Sequence, residues 1–399
     1  MGNNRLMDHF FQLLRYAIGA SDEFPEDISR EEWREIHELA HRQAILGVLL
    51  YGIQKNAALR IDRDLLLRWF AESEQIRHRN GRLDEATVTV AHQLEEDGFK
   101  VCVLKGQGNA RLYPDKSIRT PGDVDIWPLV DRNTIYQYVR RRFHDTEMLY
   151  HHLEYPVLND VMTEIHFFPM FLNNPIYNKR FQKWTWKMVA DNHLMEVTND
   201  YGSYWIPDNN FNMVCQLAHI RHHFFDEGIG LRQVVDYFFL LRGERCEVRG
   251  EREDVKCKMY DVKWEKEEGR GERLALRDTL RWLGMEKFAG ALMWVLSEVL
   301  GLEEQYLVAE PNEKLGRMLL DEILMTGNFG QHDNRFGSLK QKSRMTRLCG
   351  LLQKNFKFLV YYPDEVICGF LFRAIGQPLW RLWWRKFEWW RVESLEFRG

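Results

Sequence analysis

The chain has 399 residues, of which 45% are hydrophobic, and it carries a net charge of −4. A chain of this length can bury a large core and suggests two or three domains. Because basic residues show no excess over acidic ones, the charge balance argues against a protein that follows a long nucleic acid.

The cysteines and the apolar segments predict a cytoplasmic protein. The six cysteines form no C-x-x-C motif, so neither a disulfide framework nor a zinc ribbon is indicated. The first twenty residues are not typical of a signal peptide, and no apolar run is long enough for a transmembrane helix. The cysteines lie at Cys102, Cys215, Cys246, Cys257, Cys349 and Cys368.

The first part of the chain, residues 1–95, is predicted to be helical. Ser29 is typical of a helix N-cap, and acidic residues follow it in the first turn. Trp33, Ile36 and Leu39 then recur at helical spacing.

Residues 96–205 are predicted to form a compact unit of strands and helices. The β-rich runs FKVCVLKG (99–106), GDVDIWPLV (122–130) and VMTEIHFFP (161–169) each read as a strand. A short helix before Pro114 separates the first two runs, and a helix capped by Asp131 or Asn133 separates the second and third.

The remainder of the chain is predicted to be helical, which makes the fold class α+β. A C-terminal helical domain is expected over 206–340, with a charged, exposed insertion at 242–273. An aromatic-rich helical tail is expected over 341–399.

Two aspartates in the second predicted strand carry the first indication of chemistry. Residues i and i+2 of a strand point to the same face, so Asp123 and Asp125 project together. Adjacent carboxylates resist ionisation unless a cation compensates them, and Mg²⁺ is held by one or two carboxylates plus substrate phosphates. The alternative is an ordinary Gly-Asp turn.

Neighbouring residues favour the metal site over the turn. Gly106 follows the first strand, where a ligand phosphate could approach the backbone closely, and Lys105 adds a positive charge. Arg119 could reach a phosphate or pair with Asp123. A third acid, Glu164, shares a strand face with His166.

The order of these features resembles the nucleotidyltransferase superfamily with the polymerase-β-like palm. It is most similar to a group of uncharacterised bacterial nucleotidyltransferases that carry LKG, an Arg, GDxDI and then an E-I-H strand. The resemblance implies a small palm with a mixed β-sheet, embedded between N-terminal and C-terminal helical regions. The matching residues are Lys105, Gly106, Arg119, Gly122, Asp123, Asp125, Glu164 and His166.

The resemblance implies a transfer of a nucleoside monophosphate from an NTP to a hydroxyl of a small molecule or protein. Asp123 and Asp125 would hold Mg²⁺ or Mn²⁺. Glu164 would complete a second metal site or take the proton of the acceptor hydroxyl. The remaining matching residues would bind the nucleotide: Lys105, Gly106, Arg119, Gly122 and His166.

Two departures from the superfamily pattern motivate alternatives. Gln107 stands where Ser or Gly usually follows the glycine, and Glu164 stands where Asp is usual. One alternative is a catalytically weak nucleotide-binding or protein-interaction module that retains the palm. Another is a phosphohydrolase that uses the same metals with water as acceptor.

Two features outside this core are also predicted. In HIRHH, His219, His222 and His223 are expected on a polar helix face with one buried histidine, because further zinc ligands are not apparent. Arg232 and Asp236 are expected to pair on a helix surface, while the resemblance places both helices along the nucleotide cleft.

The Trp-rich tail is expected to dock on the core or on a partner. Trp380, Trp383, Trp384 and Phe387 follow helical spacing beside arginines. Such a helix could alternatively bind a membrane surface, because Trp and Arg favour the membrane interface.

Overall fold

The protein, described by a computed structural model, begins with four helices that precede the sheet. The structure describes residues 2–56, 61–243, 267–333 and 344–380, together with residue 382. The four helices are α1 (Gly2–Ala17), α2 (Arg30–Arg42), α3 (Leu46–Gln54) and α4 (Arg63–Glu96).

The beginning of α2 follows the predicted capping pattern. The Ser29 side chain accepts a hydrogen bond from the backbone N–H of Glu32, and the Glu32 carboxylate accepts one from the Ser29 N–H. This reciprocal capping box satisfies two amide groups that the helix itself leaves unpaired.

A four-stranded mixed sheet follows α4. Its spatial order is β1-β2-β4-β3, with β1 and β2 antiparallel, β2 and β4 parallel, and β3 and β4 antiparallel. The strands and helices of this unit are β1 (Val101–Leu104), α5 (Gly106–Ala110), β2 (Val124–Pro128), α6 (Arg132–Arg142), β3 (His152–Glu154) and β4 (Thr163–His166). The α+β fold class is therefore confirmed.

Two parts of the strand prediction were incomplete. The three-residue strand β3 pairs with β4, and a hairpin of β5 (Leu194–Asn199) and β6 (Gly202–Pro207) follows α7 (Pro175–Ala190). A strand of three residues is too short to show the period-2 alternation that identifies strands in a sequence.

The cap of α6 is one of the two predicted residues, since Asp131 accepts hydrogen bonds from the Asn133 and Thr134 N–H groups.

Helices make up most of the rest of the described chain. The bounds are α8 (Asn209–Phe225), α9 (Leu231–Arg242), α10 (Glu267–Trp282), α11 (Glu286–Trp294), α12 (Glu313–Thr326), α13 (Arg344–Asn355) and α14 (Pro363–Leu371). A π-helical segment, Phe372–Gly376, continues α14. Most of the predicted charged insertion lies outside the described residues, as do Trp383, Trp384 and Phe387.

The sheet has one apolar face and one face that carries polar groups. Val103, Ile126 and Ile165 belong to a hydrophobic core with Val90 of α4 and Ile135 of α6. Because successive residues of a strand point to opposite faces, the neighbours of these residues project away from that core. Asp125 and Glu164 therefore lie on the other face, toward α8.

Helix α14 and the segment that follows it have an exposed apolar side. Five large apolar side chains on this side each expose about half of their surface: Ile367, Leu371, Ile375, Leu379 and Leu382. Docking through the tail stays a prediction. Within the described residues, no helix combines the length and the apolar character needed to cross a bilayer.

Candidate active site

Three carboxylates meet on the polar face of the sheet. Asp125 of β2 lies opposite Glu164 of β4 in the parallel register, and Asp123 lies two residues before Asp125. Each contributes an oxygen atom to a group whose members all lie within 4.8 Å of one another. The structure thus brings together the three acidic residues that the sequence singled out.

The turn between β1 and α5 directs a lysine toward these carboxylates. Lys105 has φ 51° and ψ −131°, a conformation that a residue with a side chain rarely adopts. Its Nζ lies 3.1 Å from Asp125 Oδ1. Lys105 therefore neutralises part of the acidic group in the structure.

Gly106 begins α5 directly after this lysine. A Cβ atom built on Gly106, which has φ 32°, would meet only the Asp123 carbonyl oxygen at 3.5 Å. With five residues, α5 is too short to provide a substantial helix dipole. A contribution of Gly106 to phosphate binding would rest on its own backbone and its missing side chain.

Burial and mutual attraction shift the pKa values of this group. Burial opposes the charged forms of Lys105 and Asp125 and is the largest single effect on each pKa, but the opposite charges around each group together outweigh it. The pKa of Lys105 is raised and that of Asp125 is held well below its usual range. Glu164 behaves differently, because burial raises its pKa and the nearby Asp125 charge adds to the effect.

His166 lies beneath the carboxylates and is fully buried. Its Nε2 donates a hydrogen bond of 2.7 Å to Asp125 Oδ1 and lies 3.3 Å from Glu164 Oε2. Although burial lowers the pKa of His166, the adjacent Asp125 carboxylate raises it above the ordinary value. In this arrangement His166 orients Asp125, and it is not among the residues that line the cavity described below.

Arg119 is held by a carboxylate from a distant helix. Its Nε and Nη2 atoms donate hydrogen bonds of 2.7 and 2.8 Å to the two oxygens of Asp236. The Tyr113 hydroxyl donates a further bond of 2.7 Å to Asp236 Oδ1. Arg119 thus pairs with Asp236 rather than with Asp123, and its buried Nη1, which has no hydrogen-bond partner, leaves the predicted phosphate contact open.

The predicted surface pair of Arg232 and Asp236 is wrong. Both side chains are buried, and Asp236 makes its ion pair with Arg119. Arg232 instead donates through Nη1 to the Thr120 carbonyl oxygen at 3.1 Å, while its buried Nε has no hydrogen-bond partner. Arg119 and Arg232 therefore share this wall with Asp236, and the nearby Asp123 charge also acts on both arginines.

These groups surround a cavity of about 420 Å³. The carboxylates and Lys105 lie on the sheet side, and α8 and α9 contribute the opposite side. Lining residues that the sequence had singled out are Lys105, Gly106, Arg119, Gly122, Asp123, Asp125, Glu164, His219, His222, His223, Arg232, Asp236 and Trp380.

Histidines form one wall of the cavity. His219 and His222 are buried, so the prediction of a polar face with a single buried histidine was wrong. Burial lowers the pKa of His222 to about 3 and that of His219 well below its ordinary value. Helix α8 is enclosed on nearly all sides, and its histidines consequently face the cavity rather than solvent.

Sequence reasoning missed two further histidines. His151 and His152 line the cavity, and His152 Nδ1 lies 3.1 Å from Glu164 Oε2. Burial lowers the pKa of His152 to about 3 and that of His151 well below its ordinary value. The paired histidines shortly before the E-I-H strand were the available signal.

Aromatic residues close the cavity on another side. Phe171, Phe329 and Trp380 contribute to the lining. The Arg132 guanidinium lies 4.9 Å from the Trp380 ring and 4.3 Å from the Phe167 ring. The first tryptophan of the C-terminal segment therefore packs inward, against the sheet-bearing unit.

Comparisons with known proteins identify related sequences. The model of a family described as "Uncharacterised nucleotidyltransferase" matches residues 29–265. No curated protein matches the chain. A solved structure with some similarity is an antigenic nucleotidyltransferase-like protein from Paracoccidioides brasiliensis, with 12% identity over 51% of this chain and 93% of that chain and a TM-score of 0.28.

Proposed function

Because the chain belongs to this family of uncharacterised nucleotidyltransferases, we propose that it transfers a nucleoside monophosphate from an NTP to a hydroxyl group, with Mg²⁺ or Mn²⁺ as cofactor. The acceptor would be a small molecule or a protein. The observation that carries the proposal is the meeting of Asp123, Asp125 and Glu164 at a cavity whose other wall carries two buried arginines.

The acidic group fits a divalent cation of this kind. Mg²⁺ prefers carboxylate oxygens and usually completes its coordination with water and substrate phosphates. Asp123, Asp125 and Glu164 offer three such oxygens, and all three residues line the cavity. These residues would hold the cation, whose chemistry when bound is to neutralise the charge that develops on the phosphates during transfer.

The arginine wall would bind the phosphates of the nucleotide. Arg119 Nη1 and Arg232 Nε are buried N–H groups without hydrogen-bond partners, and a triphosphate oxygen would satisfy them. Asp236 fixes the Arg119 guanidinium in position. At Gly122 a Cβ would lie 3.7 Å from Arg232 Nη1, so the glycine keeps the space beside this arginine open.

Lys105 and Gly106 would act at the other end of the phosphate chain. Lys105 Nζ contacts the Asp125 carboxylate in the structure. It could move from there to a phosphate oxygen of the nucleotide, because the phosphate offers a negative charge in place of the carboxylate. Gly106 would allow the nucleotide to approach the backbone. His166 would hold Asp125 in the orientation required for ligation.

Glu164 has two roles open to it. It would either complete the metal site or accept the proton of the acceptor hydroxyl. The raised pKa that burial gives Glu164 makes it a stronger base than an ordinary glutamate, which suits the second role.

A nucleotide-binding module without turnover is the second candidate. Asp125 is already compensated by Lys105 and His166, so its charge has partners within the chain. Gln107 is buried and donates through Nε2 to Asp84 Oδ1 at 2.5 Å, so its amide is turned away from the cavity lining. Both features are compatible with a palm that binds nucleotide but has lost catalysis.

Label transfer from α-labelled NTPs tests the proposal. The full-length protein is incubated with each NTP and Mg²⁺ or Mn²⁺, with and without cell extract. We expect label on an acceptor with the wild type and none with the Asp123→Asn, Asp125→Asn double variant. The matched control is Asp278→Asn, which alters a carboxylate that is 75% exposed on α10, outside the cavity.

Two outcomes would contradict the proposal. Label transfer that persists in the double variant would rule out this site. Nucleotide binding without pyrophosphate release, across all NTPs and extracts, would favour the non-catalytic module.

A further inference from the structure

A second group of potential metal ligands shares Glu164 with the acidic group. His152 Nδ1 and His166 Nε2 lie 3.1 and 3.3 Å from the same oxygen, Glu164 Oε2. Ligand atoms of these three residues all lie within 4.8 Å of one another. The group differs from the three carboxylates because two of its three donors are nitrogen atoms.

The strand register explains why these side chains converge. His152 of β3 lies directly opposite His166 of β4 in the antiparallel ladder. Residues opposite each other project to the same face of the sheet, and so do Glu164 and His166, two residues apart on one strand. Because the three ligands come from paired strands and are largely buried, their relative positions are held by the sheet.

The donor atoms suit a transition metal better than Mg²⁺. Imidazole nitrogen favours ions such as Zn²⁺, whereas Mg²⁺ favours oxygen. Tetrahedral Zn²⁺ with bonds of about 2.0–2.1 Å places neighbouring ligand atoms roughly 3.3 Å apart. The two nitrogen–oxygen separations of 3.1 and 3.3 Å match this spacing.

An unsatisfied nitrogen points to a ligand at this position. His152 is buried, and its Nδ1 makes no hydrogen bond even though it lies close to Glu164 Oε2. Buried polar atoms nearly always have a partner. The Nδ1 atoms of His9 and His223 also lie near a carboxylate without a hydrogen bond, at 3.5 and 3.6 Å, and His152 differs from them by its shorter separation of 3.1 Å. A cation between the two atoms would satisfy both.

We propose that His152, Glu164 and His166 bind a divalent transition-metal ion of the Zn²⁺ class, with a fourth position open to the cavity. His152 and Glu164 both line the cavity, so a water molecule or substrate atom could fill that position. Glu164 would then bridge two cations, one held by nitrogen ligands and the other by Asp123 and Asp125.

Binding at this site changes the surroundings of Asp125. His166 Nε2 donates a hydrogen bond to Asp125 Oδ1 in the structure. One nitrogen cannot both donate a proton to Asp125 and ligate a cation, so metal binding replaces that hydrogen bond. With this ion bound, Asp125 keeps its contact with Lys105, and the orienting role of His166 applies to the protein without the ion.

Titration of the full-length protein with Co²⁺ tests the site without any need for turnover. Co²⁺ reports nitrogen ligation and low coordination number through its visible absorption. We expect one equivalent to bind with such a band, Zn²⁺ to displace it, and excess Mg²⁺ to leave it unchanged. His152→Ala and His166→Ala should each weaken binding more than about 10-fold, since even loss of an outer ligand partner costs 10- to 100-fold.

Two matched variants separate this site from its neighbours. His151→Gln alters an adjacent cavity histidine that is not in the ligand group, and it should keep the Co²⁺ affinity. Asp123→Asn should abolish the proposed transfer reaction but retain the Co²⁺ band. Failure of the transfer reaction and failure of this site are therefore distinguishable.

A measurement on the wild type covers the case in which the histidine variants do not fold. X-ray absorption of the protein loaded with one equivalent of Zn²⁺ should show two imidazole ligands. An all-oxygen shell would overturn the inference, as would Co²⁺ affinity that is unchanged in a folded His152→Ala variant or absent in the wild type.

Discussion

Arg119 and Asp236 form a bidentate ion pair that is almost completely inaccessible to solvent, with Nε–Oδ1 and Nη2–Oδ2 distances of 2.7 and 2.8 Å. The pair joins the segment before β2 to α9. Its partners are 117 residues apart in the sequence, and it fixes one wall of the cavity relative to the carboxylates on the sheet.

Removing one partner of this pair should destabilise the protein strongly. Asp236→Leu leaves the Arg119 charge buried without compensation, and such a change costs about 3–5 kcal/mol. The double variant Arg119→Met, Asp236→Leu removes both charges and should recover most of that loss. Denaturant unfolding monitored by circular dichroism measures both values. Equal stability of the single and double variants would show that the pair is not coupled as described.

Loss of Arg232 should weaken nucleotide binding. Arg232→Gln removes a buried N–H group from the cavity wall, and a hydrogen bond to a charged group is worth about 1.5–3 kcal/mol. We therefore expect the dissociation constant for an NTP with Mg²⁺ to rise roughly 10-fold or more, as measured by calorimetry. Arg242→Gln is the control, because Arg242 lies on the same helix, pairs with Glu303 and does not line the cavity. Equal losses in both variants would contradict a phosphate contact at Arg232.

The histidine wall should make stability depend on pH. Burial lowers the pKa of His222 from 6.5 to about 3, so the folded protein holds this side chain neutral. The contribution of neutral His222 to the free energy of unfolding is fully present above the pKa that this side chain has in the unfolded chain. It is lost as the pH falls from that value toward the lower pKa of His222 in the folded protein. Between pH 7 and pH 5 the loss from His222 alone is about 2 kcal/mol. Unfolding free energies at several pH values should show a shallower acid slope for His222→Gln, and an unchanged slope would contradict the assignment.

Helix α3 packs closely against the segment that leads to Arg119. A Cβ at Gly47 would collide with the Ile118 carbonyl oxygen. Gly47→Ala should therefore cost about 1–3 kcal/mol of unfolding free energy, as expected for overpacking. Gly81→Ala is the matched control, because nothing lies within 4 Å of a Cβ there and the position is inside α4. That variant should be neutral or up to about 1 kcal/mol more stable, since alanine favours helix.

The local features of the fold were largely predictable from sequence. Asp123 and Asp125 could be placed on one face because strands alternate with period 2, whereas Glu164 was grouped with them through the order of the motifs and the family resemblance. Ser29 could be identified as a cap, and Asp131 as one of two candidates, because such side chains accept bonds from nearby backbone N–H groups. The shared strand face of Asp123 and Asp125 and the two helix caps each depend on residues close in sequence.

The remaining parts of the site depend on contacts that local patterns do not encode. Asp236 has an arginine at helical spacing, yet the partner that folding brings to it is Arg119. His222 has charged and histidine neighbours in sequence, but α8 is enclosed by other elements and the side chain is buried. His152 lies in a strand of three residues, which is too short to be recognised, and only pairing with β4 aligns it with His166.

The central claim is that the carboxylates at Asp123, Asp125 and Glu164 support nucleotidyl transfer. Parallel reactions with α-labelled and γ-labelled NTP in Mg²⁺ test it most directly. We expect the α-label to move to an acceptor while the γ-label leaves as pyrophosphate, and we expect Asp125→Asn to abolish both. Release of the γ-label as inorganic phosphate without α-label transfer, or full activity of Asp125→Asn, would contradict it.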